Sequence, residues 1–404
     1  MTSGNVAYFT LPLSPPIKGG DKKRKVAMTE AGVISAEELK KRLDTNGVDF
    51  LFDLRNEDEF KSWRIEGRAE FEALNIPQEE FVGEEERYLA KFPRGREIVA
   101  VCAHGDSSKY AADLLRDFGI SAVSLKGGMD VWSGFYETHR LAGDPEVYQL
   151  FRVARGCLAY LVVSQGTAVV IDASRHFDRI GDLAASLNVR IDRVFDTHLH
   201  ADHISGGREL AEKSGAPYCL NPADADGAEY PYVPLKDNQS FTFGTGAIDV
   251  IQSPGHTPGS TSYLLNRRYL FTGDTIMQTG IGRPDLGGKA REWAALLYDT
   301  LFRRFKDLPD DIIVLPSHAT SIREQDEGGV IMTTMGRARK ELDLYQIRDE
   351  SAFIRYIEAN LLENPERYKD IRKVNLGMLQ PDEAKQKELE IGKNVCGMAK
   401  INGS

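Results

Sequence analysis

The chain has 404 residues, of which 41% are apolar and 28% charged, and this composition predicts a water-soluble globular protein of about two to three domains. The formal net charge of -10 argues against nucleic-acid binding, because phosphate recognition needs a basic patch. No apolar run approaches the roughly 18 residues that a membrane span requires, so we expect no membrane partner.

The four cysteines are widely spaced and form no C-x-x-C pair. They are Cys102, Cys157, Cys219 and Cys396. This spacing is typical of a reducing compartment rather than of a disulfide framework, so we expect a cytoplasmic protein. Residues 1–32 lack the basic start and the apolar core of a signal peptide, and we interpret them as a leader arm.

Residues 33–140 show the alternating pattern of a small parallel α/β domain. Ser35 followed by Glu38 predicts the start of a helix. Apolar runs and their spacing predict the later elements: a strand at 49–54, a helix at 57–63, a strand at 97–101 and a helix at 107–118. In such a domain ligands bind at the carboxyl ends of the strands.

Cys102 stands at this position, between a predicted strand and a predicted helix. The loop C-A-H-G-D-S-S, which begins with Cys102, would surround the thiol with backbone N–H groups and the positive end of the helix dipole. Both lower the pKa of a thiol and favour a bound anion. A buried structural cysteine at a strand end is the alternative that this local pattern leaves open.

Motifs along the domain resemble those of a single rhodanese domain. They are Asp53-Leu-Arg55, the C-x-x-G-x-S-S loop, and Leu125-Lys-Gly127-Gly128 with Trp132. The resemblance implies a sulfurtransferase in which Cys102 carries a persulfide. Rhodaneses commonly have arginine where this loop has Ala103 and Ser107, and Asp106 adds a negative charge. An anionic donor such as thiosulfate would therefore bind less well, and the donor stays open.

After a short predicted linker at 140–145, residues 146–345 form a second predicted domain. The predicted elements are strands at 158–163 and 168–172, a helix at 177–187, a strand at 193–196, a helix at 206–214, and strands at 241–243, 248–251, 261–265 and 269–271. Residues 346–404 are charged and mostly helical in pattern, so we expect a helical C-terminal extension.

Titratable residues cluster after the strand at 193–196 and recur at later strand ends and turns. The first group is His198, His200, Asp202 and His203, and the later ones are His256, Asp274 and His318. Most of the 8 histidines in the chain lie at these points. Packing has no need of such a cluster, and crowding hydrated groups is costly unless a metal ion binds them.

The order H-x-H-x-D-H, G-H-T-P-G, T-G-D and a strand-terminal histidine resembles the metallo-β-lactamase superfamily, which implies an αββα sandwich. Two branches of this superfamily fit the set of metal-binding residues. A glyoxalase II-type hydrolase would hold two Zn or Fe ions, whereas a persulfide dioxygenase holds one Fe(II) through two histidines and a carboxylate. The dioxygenase motif falls on His198, His256 and Asp274. The other four would orient these ligands or bind a second metal: His200, Asp202, His203 and His318.

A glycine loop favours the dioxygenase branch. The segment G-I-G-R-P-D, which contains Arg283 and Asp285, resembles the G-x-G-R-x-D signature of persulfide dioxygenases, and an arginine beside a metal suits a carboxylate-bearing substrate. A structural Arg–Asp pair is the alternative. Fusion to a rhodanese-like domain adds weight, because a tether raises the effective concentration of a shared sulfane-sulfur intermediate.

Together these resemblances imply an enzyme of sulfide detoxification. We expect it to oxidise a low-molecular-weight thiol persulfide, with glutathione persulfide as the expected substrate, by O2 to sulfite and thiol at one iron. Thiosulfate or sulfite would be the partner of Cys102. A hydrolase with a dinuclear metal site and a non-catalytic sulfur carrier are the alternatives, and the oligomeric state stays open, a homo-oligomer included.

Overall fold

The computed structural model describes residues 32–45, 47–48, 50–361, 363–392 and 397–398. Cys396 and all but the last residue of the predicted leader arm lie outside these residues. The chain forms a parallel α/β domain followed by two facing sheets with helices on their outer surfaces, as the sequence predicts. Among the described residues, no helix combines the length and apolar character that crossing a bilayer demands.

The first domain is built on a five-stranded sheet in which every neighbouring pair is parallel, in the order β1-β5-β4-β2-β3. Its strands are β1 Val33–Ile34, β2 Phe50–Asp53, β3 Glu72–Asn75, β4 Ile98–Val101 and β5 Ala122–Leu125. Its helices are α1 Ala36–Asp44, α2 Glu57–Ser62, α3 Gln78–Phe81, α4 Glu85–Tyr88 with a 3-10 turn at Leu89–Lys91, α5 Asp106–Asp117 and α6 Gly128–Ser133. Ser35 caps α1 as predicted, since its hydroxyl accepts a hydrogen bond from the backbone N–H of Glu38.

The second domain contains two sheets that pack face to face. The seven-stranded sheet, in the order β12-β11-β10-β9-β8-β7-β6, consists of β6 Tyr136–Leu141, β7 Glu146–Arg152, β8 Cys157–Ser164, β9 Thr167–Ile171, β10 Arg190–Phe195, β11 Tyr218–Leu220 and β12 Val233–Pro234. The six-stranded sheet runs in chain order and consists of β13 Ser240–Phe243, β14 Gly246–Gln252, β15 Thr261–Leu265, β16 Tyr269–Gly273, β17 Ile313–Pro316 and β18 Thr333–Thr334. Aromatic residues such as Tyr160 and Phe271, whose rings lie 4.9 Å apart, fill the core between the sheets.

Helices cover both outer faces of this sandwich. The seven-stranded sheet packs against α7 Asp178–Ser186 and α8 Gly207–Ser214. The six-stranded sheet packs against α9 Ala290–Asp299 with its π-helical continuation Thr300–Arg304, α10 Met335–Glu341, α11 Asp343–Gln346 and α12 Glu350–Ala359. A 3-10 turn at Ile322–Glu324 and the helices α13 Arg367–Asn375 and α14 Glu383–Leu389 complete the described elements.

The boundary between the domains lies earlier than the sequence predicts. Residues 136–140 are not the end of the first domain, and residues 140–145 are not simply a linker, because β6 is the edge strand of the seven-stranded sheet and pairs antiparallel with β7. The segment Y-E-T-H-R-L is half-exposed and polar, so it lacks the apolar run that marks a buried strand. Only Gly134 and Phe135 separate α6 from β6.

The two domains pack directly on each other. Lys40, 2% exposed, donates hydrogen bonds to Asp44 of its own helix at 2.6 Å and to Glu137 of β6 at 2.9 Å. The indole N–H of Trp63 donates to the backbone carbonyl of Ala154 at 2.8 Å. These contacts pack the first domain against the second.

Candidate metal centre and sulfur-transfer loop

The three predicted iron ligands meet in the buried interior of the second domain. His198 follows β10, His256 lies in the turn between β14 and β15, and Asp274 follows β16. The Nε2 atoms of His198 and His256 lie 3.8 and 3.5 Å from Oδ2 of Asp274. Each residue is 1% exposed, and within the described part of the chain none of these three atoms has a hydrogen-bond partner.

Hydrogen bonds at the other ring nitrogen fix how each imidazole is presented. Nδ1 of His256 donates to the backbone carbonyl of Arg283 at 3.0 Å. Nδ1 of His198 lies 2.9 Å from the hydroxyl of Thr197, which in turn donates to the carboxylate of Asp172. The ring proton therefore sits on Nδ1 in both residues, and Nε2 presents a lone pair.

The charge state of these groups suits a metal ion. Burial lowers the pKa of His256, and burial together with the neighbouring His200 holds the pKa of His198 well below its ordinary value. Burial would raise the pKa of Asp274, but attraction to His318 outweighs it and the pKa is lowered. Two neutral imidazoles and one carboxylate with unpartnered donor atoms thus fit a divalent metal such as the predicted Fe(II).

Of the other predicted residues, His318 bonds directly to the triad, and His200 bonds to a carboxylate next to it. His318 donates from Nδ1 to Oδ1 of Asp274 at 2.6 Å, which leaves Oδ2 of this carboxylate for a metal. His200 is directed instead at Asp172, with Nε2 3.2 Å from Oδ1. His318 therefore acts on one ligand directly, while His200 shares a carboxylate with the residue that orients His198.

A second cluster contains a cysteine that the sequence motifs do not identify. Donor atoms of Cys157, Asp202, His203 and His318 lie within 4.8 Å of one another, and all four residues are buried. Burial would raise the pKa of Cys157, but the two histidines lower it to about 6. The sequence gives no local signal, because Cys157 begins β8 and meets His318 only through an isolated bridge between distant segments.

The predicted substrate residues Arg283 and Asp285 are bound to each other. The guanidinium of Arg283 donates from Nε and Nη2 to the two carboxylate oxygens at 2.7 and 2.6 Å, and Arg283 is 1% exposed. Gly282 lies so close to the centre that a Cβ there would be 2.8 Å from the ring of His256. The pair stabilises the loop whose carbonyl orients His256, and substrate contact stays a prediction.

Cys102 lies in a loop of backbone and side-chain donors at the end of β4. Its Sγ accepts hydrogen bonds from the backbone N–H of Gly105 at 3.0 Å and of Ser108 at 3.3 Å, and from the Ser108 hydroxyl at 3.2 Å. Gly105 has φ 98°, and a Cβ there would lie 2.6 Å from the backbone N of Gly127. A sulfur anion at this position would accept these hydrogen bonds and would lie near the N-terminus of α5.

The pocket over Cys102 is acidic. It has a volume of about 320 Å³, and all of its lining residues belong to the first domain. The two basic side chains in its lining contact carboxylates, since Arg55 donates to Asp53 at 2.7 Å and Nδ1 of His104 lies 2.8 Å from Asp130. Three further carboxylates line the pocket: Glu59, Glu79 and Asp106. This negative charge supports the prediction that a dianionic sulfur donor binds poorly to the pocket.

The C-terminal extension reaches residues 198–205, which we call the metal loop. Asn375, the last residue of α13, donates from Nδ2 to the backbone carbonyls of His200 and His203 at 2.9 and 3.0 Å. Its Oδ1 accepts a hydrogen bond from the backbone N–H of Ser205 at 2.9 Å. The sequence predicts only a polar helical extension here, because these partners are remote in the chain.

Glu390, just after α14, makes the second contact with this loop. Its Oε1 accepts a hydrogen bond from the backbone N–H of Ile204 at 2.9 Å. Its Oε2 accepts from Arg152 at 2.7 Å and from Arg175 at 2.8 Å. The C-terminal extension is thereby part of the shell around the metal loop.

An αββα sandwich with this ligand arrangement, preceded by a parallel α/β domain with a cysteine loop, defines the class as a metallo-β-lactamase fold joined to a rhodanese-like domain. The family model described as the metallo-beta-lactamase superfamily matches residues 152–318, and the rhodanese-like domain model matches residues 35–134.

Relatives narrow this class further. Human and bovine "Persulfide dioxygenase ETHE1, mitochondrial" are each 31% identical to this chain, over 42% and 45% of it. The chain spans 66% and 71% of the length of these two proteins. The crystal structure of ETHE1 from Myxococcus xanthus has 29% identity and a TM-score of 0.50, covering 57% of this chain and 98% of that one. The chain belongs to the persulfide dioxygenase family of the metallo-β-lactamase superfamily and carries a rhodanese-like domain.

Proposed function

We propose that this chain oxidises a low-molecular-weight thiol persulfide, with glutathione persulfide as the substrate, at one Fe(II) held by His198, His256 and Asp274. Persulfide, O2 and water would give the free thiol, sulfite and two protons. We place this reaction in the cytoplasm, in keeping with free thiols at the three described cysteines.

One observation carries this proposal. The buried Nε2 atoms of His198 and His256 and Oδ2 of Asp274 converge, and no hydrogen bond within the described residues uses them. Leaving such atoms unpartnered is costly unless a ligand binds them. Two histidines and one carboxylate are the donor set of mononuclear non-haem iron oxygenases, in which open positions remain for substrate and O2.

The protein groups would set the geometry and the charge. Thr197 and the carbonyl of Arg283 keep the imidazoles of His198 and His256 in one tautomer and one orientation. His318 holds a proton on Nδ1 against Oδ1 of Asp274. A bound ferrous ion would supply coordination positions for O2 and the terminal sulfur.

The first domain would transfer sulfane sulfur through Cys102. The thiolate of Cys102 would attack the sulfane sulfur of a donor, form a cysteine persulfide and release the donor as its thiol or as sulfite. The hydrogen bonds from Gly105 and Ser108 would stabilise the resulting anion. The direction of transfer and the donor stay part of the proposal.

The test is O2 consumption by the purified chain reconstituted with Fe(II), on addition of glutathione persulfide. We expect uptake with stoichiometric sulfite and one iron per chain by elemental analysis. His256→Ala should remove both iron and uptake, whereas His176→Ala, which changes a histidine outside the centre, should keep both. Full activity and bound iron in His256→Ala would refute the ligand assignment.

The cluster at Cys157 makes the hydrolase a specific second candidate. Its four grouped donors could hold a second metal, as a glyoxalase II-type enzyme requires. Two metals per chain, with hydrolysis of a glutathione thioester and no O2 uptake, would replace the proposed oxygenase by this alternative.

A further inference from the structure

Asp224 joins the backbone segments that carry the two histidine ligands. It lies after β11 and is 5% exposed. Its Oδ2 accepts hydrogen bonds from the backbone N–H of Leu199 at 2.8 Å and from the hydroxyl of Thr257 at 2.6 Å, and its Oδ1 accepts from the backbone N–H of Gly259 at 2.8 Å. No motif in the sequence contains this residue.

Its partners stand next to the metal ligands. Leu199 directly follows His198, and Thr257 directly follows His256. These two segments belong to different sheets, since the first follows β10 and the second lies between β14 and β15. One short carboxylate thus bonds to both segments and sets the spacing between them.

We propose that Asp224 is a positioning residue of the metal centre, which fixes the separation of the His198 and His256 imidazoles before metal binds. Residues that orient ligands in this way typically contribute about 10- to 100-fold in metal affinity. This inference rests on the metal centre of the proposed function, although it does not depend on iron or on oxygen chemistry.

The fit around this carboxylate is tight. A Cβ at Gly259 would lie 2.5 Å from Cγ of Asp224, so only glycine lets the turn approach this closely. A longer glutamate at position 224 would keep the charge but could not make the three hydrogen bonds without displacing the turn. Charge and geometry can therefore be separated by substitution.

The test compares Co(II) binding by the full chain and its variants, followed by visible d–d absorption and by competition with a chelator. Asp224→Asn keeps the size of the side chain but removes one acceptor and the charge. Asp226→Asn makes the same chemical change at an exposed position two residues away. We expect about 10- to 100-fold weaker Co(II) binding and an altered spectrum for D224N, and wild-type behaviour for D226N.

A glutamate variant tests geometry against charge. We expect Asp224→Glu to bind Co(II) as weakly as D224N. Recovery of wild-type affinity in D224E would show that charge alone matters and would overturn the inference. If D224N does not fold, Thr257→Val removes one hydrogen bond to the carboxylate with little change in shape, and it should weaken binding in the same direction.

The remaining outcomes separate this inference from the proposed function. Wild-type affinity and an unchanged spectrum in D224N, or in T257V where D224N does not fold, would overturn the positioning role while leaving the metal centre intact. Failure of the wild-type chain to bind Co(II) at all would refute the metal centre, and with it both proposals.

Discussion

Removing the charge of Glu390 should destabilise the second domain strongly. Its side chain is 1% exposed and accepts hydrogen bonds from Arg152, also 1% exposed, and from Arg175, 11% exposed. Glu390→Gln keeps the shape and leaves both guanidinium groups without their carboxylate. Breaking a buried ion pair on one side costs about 3–5 kcal/mol in the free energy of unfolding.

The effect of Glu390 should depend on pH. Burial would raise the pKa of this carboxyl, but Arg152 and Arg175 outweigh it and hold the pKa well below its ordinary value of about 4.3. A carboxylate with a lowered pKa stabilises the fold above its unfolded pKa, and this contribution is lost as the pH falls. The difference between wild type and Glu390→Gln should therefore be constant near pH 7 and shrink below about pH 4.

Urea unfolding at several pH values measures both effects. Glu388→Gln is the matched control, because Glu388 lies in α14 two residues before Glu390, is exposed, and pairs with the surface residue Lys385. It should change stability by less than about 1 kcal/mol. Equal stability of the two variants at pH 7, or a difference between Glu390→Gln and wild type that grows on acidification, would refute the reasoning.

Two further substitutions test the two proposed sites separately. Cys102→Ser should abolish sulfur transfer, measured as thiol-dependent sulfide or thiosulfate turnover, yet leave O2 uptake with added glutathione persulfide intact. The control variant Cys219→Ser should leave both activities unchanged. Loss of O2 uptake in Cys102→Ser would contradict the model of two independent sites. Gly282→Ala should lower bound metal per chain, measured by elemental analysis, because the added Cβ would lie 2.8 Å from the ring of His256. Gly181→Ala should keep full metal content, because the added Cβ would meet no atom within 4 Å beyond the backbone of its own helix.

The convergence of three residues in the candidate metal centre could be predicted because each of them stands in a short motif. His198, His256 and Asp274 each follow a strand or occupy a Gly/Pro turn, and such local patterns survive in the sequence whatever the rest of the chain does. The strands that precede them were also predictable, since β10 and β16 are apolar and buried at their C-terminal ends.

The polar residues that bond to the segments around this centre could not be predicted, because they are remote in sequence from those segments. Asp224 and Asn375 are ordinary polar residues of a turn and a helix end, and their hydrogen bonds to the metal loop form only when the chain brings that loop to them. Cys157 becomes part of a cluster through His318 in the same way. Strand β6 was missed for a different reason, since an exposed edge strand carries no continuous apolar signal.

The short connection between α6 and β6 would limit how sulfur moves between the two proposed sites. The first domain packs on the second through contacts of Lys40 and Trp63, so these contacts would have to break before Cys102 could approach the candidate metal centre. The pocket over Cys102 is formed by its own domain alone. In the proposed function, sulfur would therefore pass between the two centres on a diffusible thiol, and the cellular pool of that thiol would set how tightly the two reactions are coupled.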